Sequence, residues 1–254
     1  MIDKLSINNP QPLSNYTISK SLSVLVLAPH PDDFDAIGVS MRFLFENGNL
    51  IHLAVATSGA SGVEDSFYTP ATKGNKTRVR EQEQRESCGF FGLPENQLEF
   101  LRLDVDKAGH PKENQANTQI IRDCFSRLSP IMVFMPHAND TNAGHRRVYR
   151  MLQNVLPEIE YPMAVFLNRD PKTVNMRGDV YMGYGDELAD WKGELLRFHR
   201  SQQQRNLNQR GYGLDDRIIN LDRENALMCS VNAPYAEVFE IELFGENEIV
   251  DILE

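Results

Sequence analysis

The chain has 254 residues, with 26 Lys and Arg against 36 Asp and Glu, a formal net charge of −10. That length holds one large domain with a real core, and 41% hydrophobic residues is globular composition that excludes a disordered chain. The acidic balance excludes nonspecific nucleic-acid binding, which needs a basic footprint, and disfavours an anionic membrane surface; a small anionic substrate stays open, because one local patch can differ from the average.

Residues 1–20 read as a lead-in arm rich in Asn, Ser and Pro, followed by a single domain over 21–254. SVLVLA at Ser23–Ala28 has the aliphatic density of a buried parallel strand. It runs into PHPDDF, and the spacing of Ile37, Met41, Leu44 and Phe45 predicts a helix over Asp35–Glu46, stopped by Asn47-Gly48-Asn49. A second strand, Leu50–Ala56, ends in TSGASG, a turn that could also offer backbone amides to a polar ligand. A polar loop reaches Arg80, and residues 78–91 suit a helix. Leu98–Leu103 is the third strand, Gln115–Leu128 a helix with one apolar face, and Ile131–Met135 the fourth strand, entering a helix over His145–Leu156. Beyond it, Met163–Asn168 and Val174–Tyr184 read as strands, Asp186–Gln204 as one charged helix and Ala236–Leu243 as a last strand. This alternation predicts an α/β fold with a mostly parallel sheet. Three widely spaced cysteines form neither a disulfide framework nor a CxxC motif. The polar N-terminus has no apolar signal core, and no apolar run approaches the roughly 18 residues of a membrane span. A cytoplasmic protein is expected.

In an open α/β sheet, ligands bind beyond the carboxyl ends of the strands. After the first strand neither GxGxxG nor GxxxxGK is found; Pro29-His30-Pro31-Asp32-Asp33 puts one imidazole and two carboxylates there, the chemistry of a metal site. With Pro31 as first helical residue, His30 and Asp33 lie three apart and converge on one ion, while Asp32 points elsewhere, toward a water. The same residues also read as a strand-end histidine before a helix cap. The fourth strand ends in PHANDTNAGHRR, where His145 supplies a third ligand. Two His and one carboxylate leave a fourth tetrahedral position for water, the pattern of catalytic zinc. His137 in this segment fits a loop residue as well as a site residue. Arg146 and Arg147 read either as solvated helix residues or as attraction for a phosphate. His199 is read as part of a helix face with no catalytic role.

SVLVLAPHPDDFDAIG resembles the signature of the zinc-dependent de-N-acetylases related to LmbE and PIG-L, an aliphatic strand followed by AHPDDE. PHANDTNAGHRRVYRML resembles the second motif of that family, and RVREQEQRESCGFFGLP, KGELLRFHRSQ and YAEVFEIELF are weaker echoes, so that the likeness runs over about residues 22–243. It implies a Rossmann-like, three-layer fold with the metal site at the carboxyl ends of the strands. It further implies Zn2+ held by His30, Asp33 and His145, Asp32 as general base, and Arg80 as a substrate-contacting arginine. Two positions depart from the pattern. Phe34 replaces a glutamate, for which Asp35 is the nearest substitute. Asn142 replaces the first histidine of the family's pair, the one that stabilises the oxyanion; Asn142 itself or His137 is left to take that role.

The implied activity is removal of an acetyl group from an N-acetylated amino sugar or related small molecule. The alternatives are a zinc amidase for a larger amide conjugate and a non-catalytic sugar- or metal-binding protein. The expected partner is a small-molecule substrate, with no nucleic acid and no membrane span; a homo-oligomer is compatible with the sequence.

Overall fold

The computed structural model describes residues 10–244. Eight strands form one sheet: β1 (Gln11–Pro12), β2 (Ser23–Ala28), β3 (Leu50–Val55), β4 (Leu98–Phe100), β5 (Met132–Pro136), β6 (Met163–Asn168), β7 (Val180–Tyr184) and β8 (Tyr235–Phe244). Their order is β1-β7-β8-β6-β5-β2-β3-β4. The sheet is mixed: β8 runs antiparallel to both its neighbours, β6 and β7, and the remaining pairs are parallel. Of residues 1–20, the portion from Pro10 is described. There Gln11 and Pro12 pair with β7 and Leu13 is fully buried.

The aliphatic runs form strands because both faces of the sheet are covered. Val24 and Val26 join one apolar cluster and Leu25 and Leu27 another, the alternation of a two-sided strand. The first cluster includes residues of α1 (Gly38–Glu46), α2 (Lys73–Phe91) and α5 (Asp186–Arg197); the second includes residues of α3 (Gln115–Leu128) and α4 (Ala143–Val155). The sheet thus lies between two helical layers. Two more helices, α6 (Arg200–Arg210) and α7 (Leu214–Met228), complete the described set.

Several sequence readings are corrected. Residues 31–34 are turns, not the first turn of a helix, and α1 begins at Gly38 after a short 3-10 turn over Asp35–Ile37. α2 starts at Lys73, where the Thr72 side chain accepts from Asn75 N–H, so part of the expected loop is helix. The single helix Asp186–Gln204 is two, broken around His199. α7 was not anticipated, although Leu214, Ile218, Leu221, Asn225 and Ala226 are buried at helical spacing. A buried charge cluster ties this end together: Lys192 Nζ of α5 lies 2.5 Å from Asp222 Oδ2 of α7 and 2.7 Å from Glu237 Oε1 of β8. Glu237 also accepts from the Val39 and Ser40 N–H groups, at the open start of α1.

Chain direction changes between β2 and β5. From β2 the chain continues outward to β3 and β4, then returns to β5 on the other side and proceeds to β6. Such a switch point opens a crevice at the strand ends. The pairing Val24↔Met132 through Val26↔Phe134 sets the His30 turn beside the Asp140–His145 loop.

Candidate metal centre and its cleft

His30, Asp33 and His145 each offer a ligand atom, and these atoms lie within 4.8 Å of one another. Asp33 links the other two. Its Oδ2 accepts from His30 N–H at 2.7 Å and lies 3.5 Å from His30 Nδ1, while Oδ1 is 3.6 Å from His145 Nε2. Burial alone pushes Asp33 upward, but the His145 and His30 imidazoles and the His30 N–H outweigh it and hold the carboxyl below its ordinary range. His145 behaves conversely. Burial opposes its charge, yet Asp33 and Asp140 raise the imidazole to about 9.

Asp140 was missed from sequence as a site residue. Its Oδ2 is 3.0 Å from His145 Nδ1, which leaves Nε2 facing Asp33. A carboxylate behind a histidine fixes tautomer and ring orientation, as metal-ligating histidines require. The donor set and this support fit a divalent ion. A second trio, Asp140, His145 and Asp170, is equally compact. It holds only one imidazole, Asp140 is already engaged by Nδ1, and burial pushes Asp170 up to about 6. The first trio is the better metal candidate.

Gly144 explains how the two motifs approach. A Cβ there would stand 2.6 Å from His30 Nε2, so only glycine lets α4 begin against that ring. Asn142 caps α4, its Oδ1 accepting from Gly144 N–H at 2.9 Å. The cap fixes which end of the amide faces the site: Nδ2 points at His145 Nε2, 3.0 Å away. His137 lies elsewhere. Its Nδ1 accepts from Asn139 N–H at 2.9 Å and its Nε2 is 3.2 Å from Glu240 Oε2. Both ring nitrogens are engaged, and the structure does not bring His137 together with the other six candidates, His30, Asp32, Asp33, Arg80, Asn142 and His145.

Asp32 occupies a left-handed backbone conformation, φ 100°. Its N–H donates to Gln84 Oε1, and its Oδ2 is 3.1 Å from Arg80 Nη2. Burial raises the Asp32 pKa, with Arg80 opposing and Asp33 assisting. Arg80 is itself only 2% exposed and is held by Glu83, by the Pro31 carbonyl and by His199. Against the sequence reading, His199 is fully buried behind the site: Nε2 is 2.7 Å from Asp35 Oδ2, and Nδ1 faces Arg80. Phe34 points into the core, its ring edge-on to Phe91. Asp35 contributes the buried carboxylate instead, also accepting from Gln84.

His30, Asp32, Asp33, Arg80, Asn142 and His145 line one cleft of about 310 Å³, the size of a small-molecule site. Its lining also includes His110, the 59–62 turn, the loop after β6, and residues of α6 and α7. Arg146 and Arg147 are already engaged, the first by the Asp140 carbonyl and the second by Asp106 at 2.7 Å. Among the described residues, no helix is long and apolar enough to cross a membrane.

The family model for GlcNAc-PI de-N-acetylases, PIG-L, matches residues 25–156. A comparison of the sequence with curated proteins returns no match. Among solved structures, the chain is similar to N,N'-diacetylchitobiose deacetylase of Pyrococcus horikoshii, at TM-score 0.71 and 16% identity over 86% of this chain and 83% of that one. The A40926 pseudoaglycone deacetylase superposes at TM-score 0.68 and 13% identity, over 90% of this chain and 100% of that one. The 4-carboxy-2-hydroxymuconate hydratase of Pseudomonas putida KT2440 superposes at 0.61 and 17%, over 88% and 96%. At these identities the likeness concerns the fold, which carries hydrolytic and hydrating chemistry alike.

Proposed function

The chain belongs to the PIG-L family of GlcNAc-PI de-N-acetylases, and on that premise we propose that it is a zinc-dependent hydrolase removing an acetyl group from an N-acetylated amino sugar or a related small molecule. The observation that carries this reading is the convergence of two imidazoles and one carboxylate with a separate buried carboxylate, Asp32, in the same cleft. His30, Asp33 and His145 would hold the ion, a set that leaves a coordination position open. When bound, zinc supplies a Lewis acid that acidifies the attacking water and polarises the amide carbonyl.

The protein's own groups carry the protons. Asp32 accepts the proton of the attacking water; burial makes it a stronger base than an exposed carboxylate, and Arg80 holds it in place. Asn142 Nδ2 donates to the oxygen that gains charge as the carbonyl becomes tetrahedral. It gives a neutral hydrogen bond where the family pattern has a charged one. Asp32 then returns its proton to the departing amine as the C–N bond breaks. The products are acetate and a free amine.

The test is acetate release by the zinc-loaded protein over a panel of N-acetylated sugars. Turnover on any member supports the reading. Release of a larger acid from an amide conjugate would transfer it to the amidase class, and zinc uptake without any turnover would reduce the protein to a binder.

A further inference from the structure

The cleft carries cations that the acyl chemistry does not need. Its lining includes Lys172 from the loop after β6, Arg205 and Arg210 of α6, and Arg217 of α7. Among the described residues none of these four forms an ion pair, and their one side-chain hydrogen bond is from Arg210 to the Gln209 amide oxygen. This is unusual in a chain with 36 carboxylates, where most other arginines near the site are matched: Arg80 by Asp32 and Glu83, Arg147 by Asp106, Arg197 by Asp215. Four cations gathered without an ion-pair partner repel one another and lower stability unless a ligand neutralises them.

Position supports the same conclusion. Arg205 is half-buried and its Nη1 comes within 3.0 Å of where a Cβ at Gly62 would stand, so the guanidinium lies over the 59–62 turn that walls the cleft. Arg217 is half-buried too. Burial holds its guanidinium below the ordinary value, with Arg210 adding to the effect; Asp170, Tyr212 and Asp32 face it from a distance and oppose it. The same cleft is also lined by a small apolar cluster of Ala36, Leu196, Leu214 and Ile218. One cleft therefore offers the candidate metal centre, a short apolar surface and a set of unpaired cations. Arginine forks match carboxylate and phosphate oxygens pairwise.

We propose that the substrate carries an anionic group, a phosphate or a carboxylate on the scaffold of the acylated amine, and that Arg205 and Arg217, aided by Arg210 and Lys172, bind it in this cleft. The proposal rests on the hydrolase reading for the rest of the substrate, and its test is a binding measurement that does not require turnover. The zinc-loaded full chain is titrated calorimetrically with N-acetylglucosamine, N-acetylglucosamine 6-phosphate and N-acetylmuramic acid, and the same is done with Arg205→Gln, Arg217→Gln and the exposed-site variant Lys172→Gln. One or two charge-assisted contacts should make a charged probe bind about tenfold to a hundredfold more tightly than the neutral one. That ratio should fall toward one in Arg205→Gln and Arg217→Gln and drop partially in Lys172→Gln. The charged probe with the larger ratio identifies phosphate or carboxylate as the group. A ratio near one in the wild type overturns the proposal. So does failure of either charged probe to bind by about 10 mM, weaker than roughly −3 kcal/mol. A preference that survives both arginine substitutions also overturns it, since the anion would then sit on the metal. Acetate release is read in parallel. Acetate from the neutral probe with no charge preference sinks the anion site and leaves the hydrolase; an arginine-dependent preference without acetate from any probe does the reverse.

Discussion

Gly144→Ala separates the metal centre from the fold. Glycine at the second residue of α4 is a poor helix former, so alanine should be neutral to stabilising for the helix by up to about 1 kcal/mol. The added Cβ, however, would stand 2.6 Å from His30 Nε2 and 2.7 Å from Cε1. The ring must retreat by roughly 0.8 Å to reach the 3.4 Å of ordinary contact. Metal–ligand bonds tolerate about 0.2 Å, so the ring can no longer meet Asp33 and His145 at one ion without distorting α4. A zinc affinity loss of at least 10–100-fold is expected, the range for displacing the support of a ligand. Competition titration against a chelator measures the affinity, and thermal unfolding of the metal-free protein measures the fold. The expected pair is weakened zinc binding with an unchanged or raised metal-free Tm. Unchanged zinc affinity would remove His30 from the metal site; a Tm lowered along with the affinity would show that the clash is absorbed by the backbone instead.

Zinc binding should depend on pH through His145, which must lose its proton to ligate. With that imidazole raised to about 9 in the metal-free protein, apparent zinc affinity should fall about tenfold per unit as pH drops below that value, and a pH-independent affinity between 6 and 8 would contradict it. The same raised pKa stabilises the metal-free fold fully below the unfolded value near 6.5, and this stability is lost as pH rises through about 9. Lys192→Met should cost about 3–5 kcal/mol in urea unfolding, because it leaves Asp222 and Glu237 buried without their cation; a loss under about 1 kcal/mol would mean that these carboxylates are neutral in the fold. Asn142→Ala should cut kcat by about 10²–10³ as loss of an oxyanion donor does, whereas His137→Ala, engaged with Glu240 and Asn139, should leave turnover within a few-fold. The reverse pattern would return the role to His137.

The central strands β2, β3, β5 and β6 were legible because each is a run of mostly apolar residues in a sheet covered on both faces, and the metal candidates because each follows such a strand. What the sequence hid depends on backbone conformation or on distant partners. Asp32 at φ 100° makes residues 31–34 a turn, which no residue type in HPDD announces. The break between α5 and α6 follows the burial of His199 against Asp35, 164 positions away in sequence, so its local helical pattern was misleading. Asp35 makes that contact from the first residue of a 3-10 turn. α7 carries charges among its apolar positions, and one of them, Asp222, is itself buried by Lys192, which obscures the apolar stripe. The antiparallel entry of β8 between β6 and β7 is a matter of topology, with no signature in YAEVFEIELF.

The most direct test of the account is Asp32→Asn, measured for both zinc content and acetate release. Asp32 lies outside the ligand trio, with its carboxylate on Arg80, so the variant should bind zinc with the wild-type stoichiometry. Its amide cannot take the water's proton, and turnover should fall by about 10²–10⁴. Loss of zinc would make Asp32 a ligand, and full zinc with turnover within about tenfold of the wild type would contradict its role as the base.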